Sequence, residues 1–181
     1  PPGTGKTTLA RILAKEFQAD FVELSAVTAK KADIETVVER AKVNWNLKTR
    51  TVLFVDEIHR FNKAQQDAFL PHVESGLIIL IGATTENPSF EVISPLISRS
   101  RVVIVSALKK PDILKVLERA VKAEKAEKRV TPEALEYIAD LSAGDARSAL
   151  GDLELSLSLA KKVDKSVVET AVGKKMPLYD K

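Results

Sequence analysis

With 181 residues, 45% hydrophobic and 29% charged, the chain is long enough for one sizeable core or two small domains. It has no cysteine, which excludes disulfides and thiolate zinc sites and fits a reducing compartment. Its longest apolar run, Leu77 to Ala83, suits a buried strand and is far too short to span a membrane. Net charge is +3, with 13 basic and 12 acidic residues up to Val105 and 15 and 13 beyond it, so neither half is a basic domain and charge argues only weakly for nucleic-acid binding.

The N-terminal stretch "PPGTGKTTLARIL" shows no signal-peptide pattern and reads as a loop cut inside its own motif. The chain is therefore read as a fragment of a longer cytosolic or nuclear protein. From Thr7 to Phe17, Leu9, Ile12, Leu13 and Phe17 recur at helical spacing. A short strand is expected over Phe21 to Val27. An amphipathic helix follows, with Ile34, Val37, Val38, Ala41 and Trp45 on one face. "TVLFV" (Thr51 to Val55) is a continuous β-branched and aromatic run, as a parallel strand buried on both faces requires. A helix from about Lys63 to Glu74 stops at Gly76, and fully buried strands are expected at "LIILIGA" and "RVVIV" (Arg101 to Val105). Alternating strands and helices predict a parallel sheet covered on both sides.

Beyond Val105 no strand run appears. Helices are predicted over Pro111 to about Glu124, after a Thr131–Pro132 start signal, over Asp145 to Lys161 and over Asp164 to Val172. "KAEKAEKR" (Lys122 to Arg129) alternates in sign and reads as a solvated helix end and linker. The chain is thus an α/β unit followed by a small all-helical unit, with the boundary near Ser106 to Lys110.

Gly3, Gly5, Lys6 and Thr7 fit the phosphate-loop pattern G-x-x-x-x-G-K-[ST] apart from its first glycine, which would lie just before Pro1. Glycines let the backbone wrap a phosphate with its N–H groups, and the following helix turns its positive end to the same anion. The cradle would run over Pro2, Gly3, Thr4, Gly5, Lys6, Thr7 and Thr8. Lys6 would reach the β- and γ-phosphates of ATP, and the Thr7 hydroxyl would take a Mg²⁺ position. "TVLFVDEIHRF" delivers Asp56 and Glu57 at the end of a buried strand, where open α/β sheets bind nucleotides. Asp56 would hold the Mg²⁺ hydration shell and Glu57 would polarise a water for attack on the γ-phosphate, which points to hydrolysis.

Thr84 and Thr85 close the next strand; Thr85 is the better candidate to hold the attacking water or sense the γ-phosphate. Asn87 is its rival and also a natural turn residue before Pro88. Arg99 stands just before "RVVIV" and Arg101 opens it, where an arginine could serve a neighbouring subunit or form a surface salt bridge. Arg147 falls in the first turn of a helix, an unfavourable place for a cation unless it reaches a phosphate. His59 and His72 have no partner at ligand spacing and read as packing or surface residues, and Trp45 as core.

Together the P-loop, the Asp-Glu strand, "GATT", the "SR" before the last strand and "GDAR" resemble the AAA+ ATPases of the clade of clamp loaders and Holliday-junction branch-migration motors. "DEIHRFNKAQQDAFLPHVESG" and "LIGATTENPSFEV" resemble one family within it, that of replication-associated recombination protein A and the Werner helicase-interacting protein. The resemblance implies an N-terminally truncated nucleotide-binding α/β domain over 1–107, a helical lid over 108–175, and the start of a C-terminal oligomerisation region over 176–181. It further implies Arg99 as a trans-acting finger, Thr85 as first sensor and Arg147 as second sensor. The implied cofactors are ATP and Mg²⁺. The implied partners are DNA ends, gaps or forks, further copies in the full-length protein, and fork proteins such as single-strand binding protein, with no membrane. This chain has Ser100 where the family pattern reads cysteine after Ser98-Arg99, a change that leaves the guanidinium untouched. The family's usual 5-1-4-3-2 strand order would put a strand preceding the P-loop between "RVVIV" and "LIILIGA", and a chain lacking it is expected to bind ATP poorly. The alternatives are a clamp-loader or branch-migration subunit and a nucleotide-sensing scaffold without turnover.

Overall fold

The structure, a computed structural model, describes residues 1–175. It divides into two units: Gly5–Ile104, and Pro1–Thr4 together with the residues from Val105 onward.

The first unit runs α1 (Lys6–Glu16), β1 (Asp20–Ser25), α2 (Lys31–Asn46), β2 (Thr51–Asp56), a 3₁₀ turn (Ile58–Arg60), α3 (Lys63–Asp67), α4 (Leu70–Glu74), β3 (Ile78–Gly82), α5 (Pro88–Glu91) and α6 (Ser94–Ser98). Its three strands pair in parallel in the order β1-β2-β3, with Ser25 opposite Asp56 and Val55 opposite Gly82. β2 lies between two neighbours and under two helices, so Thr51–Val55 are all buried. The two-residue side-chain period sorts its residues between faces. Leu53 and Val55 join Ile34, Val37, Val38 and Ala41 of α2 on one face. Phe54 meets Ala10 of α1 and Ala83 on the other.

Several sequence expectations change in three dimensions. α1 turns its small residues Ala10 and Ala14 to the sheet, leaving Leu9, Ile12, Leu13 and Phe17 between 42% and 73% exposed. The helix expected over Lys63 to Glu74 breaks into α3 and α4, because Pro71 has no N–H to donate and its ring excludes the carbonyl of Asp67, where α3 ends. β3 is an edge strand rather than a fully buried one: Ile79 is 44% exposed, and the side of β3 away from β2 has no partner among the described residues. Arg101 to Val105 form no strand, and Ile104 is 89% exposed. A β-branched run with no neighbouring ladder has nowhere to place its backbone N–H and C=O groups except water. Trp45 is 45% exposed and lies against the Arg50 guanidinium, 4.8 Å from its ring centroid, rather than in the core.

The second unit packs α7 (Lys110–Ala123), α8 (Pro132–Leu141), α9 (Ala146–Leu159) and α10 (Lys165–Lys175) around Ile113, Leu117, Ile138, Leu153, Val163 and Val168. Thr131 caps α8, its hydroxyl accepting from Ala134 N–H. The Arg129 guanidinium closes the far end of α9, donating to the carbonyls of Leu157, Ala160 and Lys161 at 2.8–3.1 Å. The expected start of an oligomerisation region at 176–181 lies outside the described residues.

Candidate functional site

The site grows from the way α1 lies on the sheet. α1 reaches the start of β1 through the short connection Phe17–Ala19, so it runs opposite to the strands and its N-terminus points to their C-terminal ends. From the contact of Ala10 with Phe54, one turn back along α1 leads to Lys6 and two residues onward along β2 lead to Asp56, each a step of about 6 Å. Lys6 and Thr7 therefore share the end of the sheet that carries Asp56 and Glu57.

Gly5 is the N-cap of α1, with φ 83° and ψ 20°, a conformation that favours glycine, and open space lies where a Cβ would stand. No side chain caps this helix and its first turn holds no acid. Its N-terminal N–H groups and the positive end of the helix dipole thus stand beside Lys6, Thr7 and Thr8 in a first turn that carries no acid of its own. This donor set fits a phosphate, the test that a nucleotide site must pass.

Glu57 also adopts a left-handed conformation (φ 53°), rare for a residue with a Cβ and tolerated only where the surroundings fix it. The fixing bonds extend the sheet ladder beyond the strands: Ala83 N–H donates to Val55 O and Ile58 N–H donates to Ala83 O, both at 2.9 Å. They bring the Glu57 turn beside Thr84 and Thr85. Thr85 Oγ1 donates to Glu57 Oε2 at 3.4 Å. Asn87, the rival to Thr85, spends its side chain on helix capping, with Oδ1 accepting from Ser89 N–H.

Arg99 sits at the exposed end of α6, where it pairs with Glu74 at 2.6 Å and donates to Pro95 O and Ser98 Oγ. The remaining expected site residues, Pro2, Gly3, Thr4 and Arg147, belong to the helical unit. There Gly3 O accepts from Ala146 N–H at 3.1 Å, and a Cβ at Gly3 would overlap the Asp145 carboxylate and fall 3.0 Å from Arg147 N. Asp145 caps α9 by accepting from Arg147 and Ser148 N–H, and its carboxylate offsets the cost of a cation in that first turn. Among the described residues no cluster of three or more histidines and carboxylates forms a metal cage.

Two positions that shape the surroundings of the site escape sequence reasoning. His59, read there as a packing or surface residue, has its imidazole 9% exposed and Nδ1 2.9 Å from Thr84 Oγ1 and 3.2 Å from Glu57 Oε2. Gln66, 1% exposed, donates from Nε2 to Phe61 O and Glu91 O and accepts from Ile93 N–H, each at 3.0 Å, so it ties α3 to the segment between α5 and α6. The signal for His59 is its distance of three from Asp56, one 3₁₀ turn after the strand; nothing local marks Gln66.

The arrangement is that of a P-loop ATPase domain with a helical companion. Residues 1–109 match the model of the ATPase family associated with various cellular activities (AAA), and residues 123–181 match the AAA C-terminal domain. The chain belongs to the AAA ATPase family. It is 45% identical over 192 residues to replication-associated recombination protein A of Haemophilus influenzae, a match over 100% of this chain and 43% of that protein. It is 41% identical over 172 residues to ATPase WRNIP1 of Dictyostelium discoideum, covering 89% of this chain and 19% of that one. Among solved structures it resembles the RuvB Holliday junction branch migration motor of Thermotoga maritima, with a TM-score of 0.76, 28% identity, and 96% and 59% of the two chains covered. The branch it groups with is that of replication-associated recombination protein A and WRNIP1. The chain spans less than half the length of these curated relatives. Among the described residues no helix is long and apolar enough to cross a membrane.

Proposed function

We propose that this chain is the ATP-hydrolysing part of a ring-forming protein that acts on DNA ends, gaps or forks during replication and recombination, in the cytoplasm or nucleus. One observation carries the reading: an uncapped, acid-free helix N-terminus bearing Lys6 and Thr7 at the sheet end where Asp56 and Glu57 emerge, with Thr85 in contact with Glu57. Bound Mg-ATP supplies a phosphoanhydride whose cleavage needs positioning and charge stabilisation more than covalent chemistry. The loop N–H groups and Lys6 would hold the phosphates, Thr7 and Asp56 would hold a Mg²⁺ ion that offsets their charge, and Glu57 would orient and deprotonate the attacking water. Thr85 senses the γ-phosphate through its bond to Glu57. Arg99 acts on a neighbouring copy's phosphate once it exchanges Glu74 for that anion, and Arg147 serves as a second sensor. The DNA role rests on the names of the relatives, replication-associated recombination protein A foremost.

Full-length protein tests this reading. Lys6→Ala is expected to lose ATP binding, and Glu57→Gln to keep binding while turnover falls by about a hundredfold or more. Turnover should rise with gapped or forked DNA over no DNA. Glu57→Gln turnover equal to the parent's removes Glu57 from its role, and rates indifferent to every DNA remove the DNA coupling.

A further inference from the structure

His59 is a nearly buried imidazole that the mechanism above does not use. Its Nδ1 faces two oxygens, Glu57 Oε2 at 3.2 Å and Thr84 Oγ1 at 2.9 Å. A carboxylate only accepts, so a lone pair on Nδ1 would face a lone pair on Glu57; the proton therefore sits on Nδ1 and is shared between the two oxygens. Thr84 Oγ1 is itself fixed by Glu86 N–H at 3.0 Å. Glu57 Oε2 also receives the Thr85 hydroxyl. One carboxylate oxygen is thus held by donors from two directions, and Oε1 lies outside this network.

We propose that His59 is a positioning residue for Glu57: its Nδ1–H holds Oε2 against the end of β3 and so aims Oε1 at the attacking water. The proposal rests on the reading of Glu57 as the base. The left-handed backbone of Glu57 places the side chain, and His59 removes its remaining freedom of rotation. Because the same imidazole touches Thr84, a shift of the Thr84–Thr85 turn is passed on to the base. His59 bonds to Glu57 and Thr84 and is not one of the groups proposed to hold the phosphates, so it acts on kcat and not on affinity.

The test uses steady-state ATP hydrolysis and ATP binding by full-length His59→Leu, His59→Asn, His59→Gln and Glu57→Gln. Leu fills the space without a donor, Asn puts an N–H near the Nδ1 position, and Gln puts it near Nε2. For His59→Leu, kcat should fall about tenfold to a hundredfold while KM and ATP affinity stay within about threefold. His59→Asn should recover most of the loss, and His59→Gln should not. Should His59→Leu fail to fold, the Asn and Gln variants decide alone. The proposal is overturned if His59→Leu stays within about twofold of the parent while Glu57→Gln is inactive, or if Asn and Gln behave alike. If Glu57→Gln itself turns over normally, the reading beneath the proposal falls instead.

Discussion

Gly82, the last residue of β3, controls how closely the Glu57 turn approaches the sheet. An alanine there would put its Cβ 2.9 Å from Ile58 Cδ1 and 3.2 Å from Ile58 Cγ2, where carbon atoms need about 3.5–4.0 Å. Ile58 is 4% exposed and its N–H is bonded to Ala83 O, so neither it nor the turn can retreat freely. Rotating χ2 relieves the Cδ1 contact, but Cγ2 moves only with χ1, which is stiff in a β-branched residue, or with the backbone. Overpacking of this kind costs about 1–3 kcal/mol, or about 4–8 °C in Tm per kcal/mol for a unit of about 100 residues. Ile58 stands between Glu57 and His59, and a displacement approaching 1 Å at a reacting group can cost up to about a hundredfold in rate. Gly82→Ala in the full-length protein should therefore lower both Tm and kcat. The informative assay is a double-mutant cycle with Ile58→Val, which deletes Cδ1 and by itself costs about 0.5–1.5 kcal/mol. The pair should recover about 1 kcal/mol relative to additivity, with the Cγ2 contact making the rescue partial. Strict additivity of the two substitutions would refute the steric account.

Gln66→Leu keeps the volume but removes three hydrogen bonds and strands the carbonyl of buried Phe61; a loss of about 3 kcal/mol is expected, read as a fall in Tm, and a change below about 0.5 kcal/mol would show the bonds to be replaceable. At the start of β1, the hydrogen-bonded Arg40 guanidinium holds the Asp20 carboxyl below its ordinary value of 3.8, with a smaller contribution from Asn44 and a partial opposing effect of burial. A depressed carboxylate contributes stability above that ordinary value and loses it as pH falls through the lowered one. Asp20→Asn should thus be less stable than the parent in urea at pH 7, and the gap should close as the pH is taken below 3.8; a gap independent of pH would locate the effect in packing instead.

Sequence alone determined the pieces whose physics is local. β2 is legible because a short continuous run of apolar, β-branched and aromatic residues suits a strand buried on both faces. α8 is legible because Thr131 and Pro132 start it, and the P-loop because Gly5, Lys6 and Thr7 open a helix. Those same local rules put Asp56 and Glu57 at a strand end and Asn87 in a turn before Pro88. What required the tertiary structure was everything that depends on a neighbour. Arg101 to Val105 have the composition of a strand, yet a strand exists only where another edge accepts its hydrogen bonds. The large apolar residues of α1 have helical spacing, yet the close approach of helix to sheet selects Ala10 and Ala14. The site divides along the same line: the residues that name it follow one another along the chain, whereas the aim of Glu57 depends on His59, Thr85 and Gly82, brought together by ladder bonds between segments more than twenty residues apart.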